Sequence, residues 1–522
     1  MPRQIPYIIG NEACERFSFY GMRNILVDFL STTLLVGLIA EEAARKGAAK
    51  DIFHSFVAGV YFFPLLGGWL SDRYFGKYRT ILWFSLLYCV GQACLTMFVA
   101  DRYGFYAGMF LIALGSGGIK PLVSSFVGDQ FDQRTKHLAK IVFDAFYWSI
   151  NIGSFFATLL ASTFLSFDPH LAFAVPGVLM FVATVVFWAG RKRYVNVPPA
   201  PVNKDSFMRV AATALREGGT GKTLVTVGGV LALHSFWLLR WLDYVPVACI
   251  ALVLLLSFGG IGLWLQLDRA RGIHPDSVIE DVRSVLRVLI VFALVTPFWS
   301  LFDQKASAWV LQGNHMVKPS WLRPSHMQAF NPALVMIYIP LNNIVIYPWL
   351  RKRGWNITAL GKMFTGLVLT AMSWIVIGTL QLVMDNGTEL SIFWQIVAYL
   401  FLTMGEVLVS ATGLEFAYSQ ATMAMKGVIM SFWLLTVTIG QLWVLLADAA
   451  VKNHHVTDVV AKTGLSVDAF LMFFFSAFAF ASAVVFRLYA RRYKVLDNYM
   501  GSPPVAPTPE VPKATARARD RD

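Results

Sequence analysis

A chain of 522 residues that is 57% hydrophobic and only 14% charged cannot hide its apolar side chains inside one water-facing domain. Its composition is that of an integral membrane protein. The net charge of +13 fits attraction to an anionic inner leaflet and needs no nucleic-acid partner.

Apolar runs of bilayer-crossing length, about 20 residues, recur at 12–36, 52–70, 80–99, 104–127, 141–163 and 171–190. A polar stretch follows, then two more runs at 223–239 and 244–266. Six others lie at 285–312, 329–350, 359–384, 391–413, 425–449 and 467–490. The pattern predicts an all-α membrane protein of 14 transmembrane helices. Its parts are an N-terminal six-helix bundle (1–190), a cytoplasmic linker with two inserted helices (191–284), a C-terminal six-helix bundle (285–496) and a disordered tail (497–522). That tail is Pro-rich and basic, with too little apolar content to fold.

Lys and Arg cluster in loops on the side of the N terminus, as at Arg191, Lys192 and Arg193, at Arg351, Lys352 and Arg353, and at Arg487, Arg491 and Arg492. By the positive-inside rule both termini are cytoplasmic, and a cell (inner) membrane is the expected location. Four cations fall inside spans instead: Arg16, Arg23, Lys120 and Lys305.

Several chemistries are set aside. Cys14, Cys89, Cys94 and Cys249 form no CxxC and are expected as free core thiols. The histidines lack ligand spacing, so no metal or other cofactor is expected. "GGTGKT" at 218–223 resembles the end of a phosphate-binding loop, but Arg216 stands where that motif needs a Gly. It is read as a flexible linker, and an ATP-driven pump is excluded with it. No coherent nucleophile constellation supports an enzyme.

The first span is costly, because each unpaired charge at the bilayer centre costs about 2.5–3.5 kcal/mol on insertion scales. Glu12, Glu15, Arg16, Tyr20 and Arg23 fall at i, i+3, i+4, i+8 and i+11 and share one helix face. That face is expected to look into a polar cavity. The fourth span adds Lys120 after "GSGG", whose missing side chains permit close backbone approach. From the second half, "FWSLFDQKASAW" supplies Asp303 and Lys305, and "TMGEVLVSATGLEFAYSQ" supplies Glu406 and Glu415. Asp28 and Glu415 are as readily explained by local structural partners.

"EACERFSFYG" at 12–21 resembles the ExxERFxYYG signature of the proton-coupled oligopeptide transporter (POT) family, a branch of the major facilitator superfamily, with Phe19 where the first tyrosine is usual. "GGWLSDRYFGKYRT", "GSGGIKP", "FYWSINIGS" and "FWSLFDQ" extend the resemblance. "GEVLVSATGLEFAYSQA" is similar to the animal members, and the two inserted helices are similar to an insertion common in bacterial ones.

The resemblance implies a proton-coupled symporter of di- and tripeptides, with two six-helix halves rocking about a midplane site. It implies that Arg16 and Lys120 take the peptide carboxylate, that Glu406 and Asn331 take the ammonium, and that Glu12 and Glu15 exchange pairing with Lys120 as protons move. Tyr20, Tyr61, Trp299 and Trp433 would line the middle, with Asn151 and Ser410 adding polar contacts. His54 resembles the histidine of the animal members and is a second candidate for coupling. Asp72 and Arg73 resemble the superfamily's gating signature, and Arg23 with Asp303 is expected to close the outer side, with Lys305 competing for Asp303. The partners implied are peptide, proton and bilayer, and the chain is expected to work as a monomer. A nitrate, other anion or small-solute carrier of the same superfamily is the alternative, although Glu406 opposite Arg16 and Lys120 suits a zwitterion better.

Overall fold

The computed structural model describes residues 2–131, 139–199, 204–242, 244–355, 357–420 and 425–495. The tail expected at 497–522 lies outside them. Pro6 occupies the first turn of α1 (Ile5–Phe29), where its missing N–H has no helical partner to lose. The helix starts well before its apolar run, so Glu12 to Arg23 lie inside it rather than at its mouth.

After a π-helical turn at Leu30–Leu34, α2 (Glu42–Phe62) begins ten residues earlier than its apolar run. The extension is Ala- and Lys-rich, carries a Glu42–Lys46 pair at 2.7 Å, and docks on the second half. Lys50, expected in an outer loop, is therefore buried. A short helix, Pro64–Leu70, and a π-helical turn, Ser71–Phe75, carry the chain to Gly76, whose φ of +72° reverses it into α3 (Gly76–Met97).

Asp101 caps α4 (Arg102–Gly128) by accepting from the N–H groups of Tyr103 and Gly104. The glycines of α4 bring backbones together as expected: a Cβ on Gly67 would stand 2.2 Å from the Gly117 carbonyl oxygen. The half closes with α5 (Ala139–Phe167) and α6 (Pro169–Ala189), and α1 packs between them.

The inserted pair is α7 (Thr220–Ser235) and α8 (Tyr244–Gln266). "GGTGKT" is not a free linker here. It starts α7, and Gly221 is pressed against α8, where a Cβ would stand 2.2 Å from the Gly262 carbonyl oxygen.

The second half comprises α9 (Asp276–Asp303), α10 (Phe330–Leu341), α11 (Ala359–Asp385), α12 (Gln395–Glu406), α13 (Lys426–Ala450) and α14 (Val467–Arg492). Pro340 and Pro348 bracket a π-helical turn, Asn342–Ile346, that bends the run from α10 into Tyr347–Lys352. A second such turn, Val407–Ala411, follows Glu406 directly.

Among the described residues, 12 stretches are long and apolar enough to cross a membrane. One of them, Glu42–Met97, doubles back at Gly76 and contains two crossings, and the charged α1 adds another. The chain is thus an all-helical, multi-pass membrane protein. Its buried apolar side chains form two cores, one drawn chiefly from 5–194 and one from 207–486.

Candidate functional site

The halves meet along α2 with α13, α5 with α10, and α1 with the segment 304–329. Where they face each other lies a cavity of about 60 Å³, walled by Tyr20, Tyr61 and Asn151 from the first half and by Trp299, Asn331 and Glu406 from the second. Arg23, Asp303 and Lys305 also line it. Asn331 donates to Glu406 Oε2 at 2.5 Å and to Thr403 Oγ1 at 3.1 Å. This fixes the carboxylate toward the cavity. Asn151 donates to the Tyr147 carbonyl of its own helix at 3.0 Å, and among the described residues its oxygen accepts no hydrogen bond.

One turn from Tyr20 toward the termini, Arg16 Nε donates to Glu12 Oε1 at 2.6 Å and lies 3.3 Å from Glu15 Oε2. Both carboxylates are fully buried. Lys120 belongs to the same group but pairs differently, with Nζ 3.5 Å from the ring centre of Phe19 and 5.6 Å from that of Tyr61. Among the described residues no carboxylate lies within ion-pair distance of it. Arg16 and Lys120 are not cavity walls in this conformation.

Two other expected contributors also stand off the cavity. Trp433 is buried behind Trp299, with ring centres 6.3 Å apart. Ser410 falls in the π-helical turn after Glu406 and is not among the residues that line the cavity.

On the face opposite the termini, Arg23 is ion-paired with Asp303, as expected. Lys305 does not compete for Asp303. Its Nζ sits 3.0 Å from the Phe302 ring centre, and the second Asp303 oxygen accepts from Gln441 Nε2 at 2.5 Å. His54 lies mid-helix, where Nδ1 donates to Gln441 Oε1 at 2.6 Å and Nε2 pairs with Ser307 Oγ at 2.8 Å. Gln441 thus joins His54 of one half to Asp303 of the other.

Further contacts across the halves had not been expected. Arg323 Nε donates to Asp28 Oδ2 at 2.9 Å, so the partner of Asp28 is remote rather than local. Lys50 pairs with Asp448 at 2.9 Å, and Lys452 with Asp51. Gln441 and Asp448 were visible as polar residues within an apolar span, two turns apart on one face. Asp72 and Arg73, by contrast, are exposed in their π-helical turn and make no ion pair among the described residues. The side-chain bonds described between the halves therefore all lie between the cavity level and the face away from the termini.

The model of one family, PTR2 (POT family), matches residues 78–463, well over half of the chain. The chain belongs to the POT family. A solved POT structure described as an auto-inhibited POT family peptide transporter is 58% identical, with a TM-score of 0.92 over 96% of this chain and 99% of its own. The POT transporter PepTSo, solved in meso, is 60% identical, with a TM-score of 0.91 over 94% of this chain and 98% of its own. Among curated relatives, peptide transporter family 2 of Caenorhabditis elegans is 33% identical over 402 residues, 73% of this chain and 47% of its own. Solute carrier family 15 member 2 of Homo sapiens is 31% identical over 400 residues, 73% of this chain and 49% of its own. The chain spans about half the length of these curated relatives. The POT family match starts at 78, so it leaves out α1 with Glu12 to Arg23, whereas the structural likeness extends beyond those limits.

Proposed function

We propose that the protein is a proton-coupled symporter that imports di- and tripeptides by alternating access. The observation that carries this reading is the polarity of the cavity. Glu406, steadied by Asn331, offers an anion on one wall, and the cations Arg16 and Lys120 stand beyond the other. A zwitterionic peptide would place its ammonium on the first and its carboxylate toward the second. Tyr20, Tyr61 and Trp299 between them present amphipathic surfaces that tolerate varied side chains. A nitrate or other simple anion would meet Glu406 with like charge, and a sugar would need no such pair. The names of the relatives point the same way.

In this reading the termini face is cytoplasmic, given Arg191 to Arg193 and Arg351 to Arg353. The outer side is shut by Arg23 with Asp303 and by the contacts around Gln441. A cavity of about 60 Å³ is well below the roughly 300–1,000 Å³ of small-molecule sites, so the walls must part to admit a peptide. When they do, Lys120 is released from Phe19 toward either the peptide carboxylate or Glu12 and Glu15. Proton uptake by those carboxylates frees Arg16 for the substrate. One proton driven by 100 mV and one pH unit supplies about 2.3 plus about 1.4 kcal/mol, enough for accumulation of roughly a hundredfold or more. The chain is proposed to act as a monomer in a cell (inner) membrane.

The test is uptake into proteoliposomes of di-Ala, nitrate and glucose, with and without an acid-outside gradient. Acid-driven accumulation of di-Ala alone is expected. Nitrate or glucose uptake at the same rate, or di-Ala uptake indifferent to the gradient, overturns the reading.

A further inference from the structure

Away from the central cavity, a groove of about 590 Å³ opens between the inserted helix α8 and the paired helices α9 and α13. Leu256, Ile261, Leu289, Phe292, Leu435 and Ile439 are among its walls. From Arg287 to Thr296 along α9 its depth is about 14 Å by helical rise, close to one leaflet's share of a hydrocarbon core about 30 Å thick.

The end nearest the termini is cationic. Arg283 and Arg287 each hold a guanidinium 5.6 Å from the ring centre of Trp264, a groove residue. Arg283 is neutralised by Glu280 at 2.6 Å and Asp268 at 2.8 Å. Arg287 is exposed and has no carboxylate within ion-pair distance among the described residues. A tryptophan at an interface, a free guanidinium beside it and a leaflet-deep apolar channel above it match the three parts of a phospholipid: glycerol region, phosphate and tail.

We propose that this groove holds one acyl chain of an anionic glycerophospholipid from the termini-side leaflet, with its phosphate on Arg287. The lipid wedges the inserted pair against α9 and α13, so those two helices form a lipid-filled seam rather than a dry one. The charge selects the headgroup and the groove selects the tail, and each can be removed separately. Gly260 lines the groove, and a Cβ there meets no atom within 4 Å, so a larger side chain would enter the channel without disturbing the fold.

The experiment is native mass spectrometry of the full chain after exchange into mixed phosphatidylglycerol and phosphatidylcholine of identical tails. The wild-type chain is expected to retain one phosphatidylglycerol in preference to phosphatidylcholine by about fivefold, the worth of one Arg near an anionic surface. Arg287→Gln should abolish that preference, Arg287→Lys should keep most of it, and Gly260→Phe should lower retention of both lipids. Unchanged preference in Arg287→Gln overturns the headgroup assignment, and unchanged retention in Gly260→Phe overturns the tail assignment.

Discussion

Lys120 rests its ammonium 3.5 Å from the ring centre of Phe19, while Glu12 and Glu15 are left to Arg16. A cation over an aromatic face is worth about 0.5–2 kcal/mol, so the ring competes with the carboxylates for the lysine. Phe19→Leu should let Lys120 fall onto Glu12 and Glu15 and raise the KM for di-Ala by roughly 2- to 30-fold. Peptides with an amidated C terminus, which offer Lys120 no carboxylate, should be little affected. An equal rise for both would place Phe19 in packing alone.

Glu15 is the more weakly held of the two carboxylates, since its contact with Arg16 is 3.3 Å and neither of its oxygens makes a hydrogen bond among the described residues. Glu15→Gln should abolish acid-driven accumulation while sparing counterflow exchange, which needs no net proton movement. Wild-type accumulation in the variant would mean that another group carries the proton.

Glu406→Gln keeps an acceptor for Asn331, so the wall should hold its shape while losing its charge. Binding of free-amine dipeptides should weaken by about tenfold or more, a buried charge-assisted hydrogen bond being worth about 1.5–3 kcal/mol. N-acetylated analogues provide the control, because they bring no ammonium to the site. Parallel loss for both classes would count against an ammonium site.

Arg23→Ala and Asp303→Ala should each cripple transport, and the swap Arg23→Asp with Asp303→Arg should recover part of it. Gln441 limits the rescue, because its amide N–H now donates to Asp303 and would face a guanidinium. Adding Gln441→Glu to the swap should improve it. Cysteines at 23 and 303 should cross-link to an extent that changes with peptide and pH; a constant yield would identify a static strut.

Lys50 and Asp448 are nearly dry, with side chains 11% and 3% exposed. Removing one partner of such a pair costs about 3–5 kcal/mol, whereas replacing both by apolar groups is often neutral. In a Ser307→Cys background, where position 307 is buried beside His54 on this side, Lys50→Met should expose the introduced cysteine to a membrane-impermeant maleimide, and Lys50→Met with Asp448→Leu should restore protection. Protection unchanged in the single variant would show that the pair does not hold this side shut.

Much of this was legible in the residues. Hydrocarbon-length runs marked the spans, and the one-face spacing of Glu12, Glu15, Arg16, Tyr20 and Arg23 marked the charged helix that leads into the cavity. The pairing of Arg23 with Asp303 followed from charge and resemblance. The rest lies where averages hide single residues. Glu42 to Lys50 is too polar for a hydrocarbon run, and its helix is held by docking on α13, where Lys50 pairs with Asp448. Gln441 and Asp448 sit in an apolar span whose average hides them, and only their spacing on one face sets them apart. Arg323 is far from Asp28 in sequence, and only the fold brings them to 2.9 Å.

The wide turn at Val407–Ala411 gives the helix one residue more than a regular spiral would use there. Each α-helical residue advances the spiral by about 100°, so in an unbroken helix Ser410 would lie about 40° from the azimuth of Glu406. A single-residue deletion inside this turn would therefore mend the spiral and leave 412–420 facing as they do now. The wide turn absorbs the extra residue locally, so the helix beyond it keeps its bearing. A frame-preserving loss of one codon here would keep the same side chains of 412–420 against α13, whereas the same loss in the regular helix Gln395–Glu406 would turn everything beyond it by about 100°.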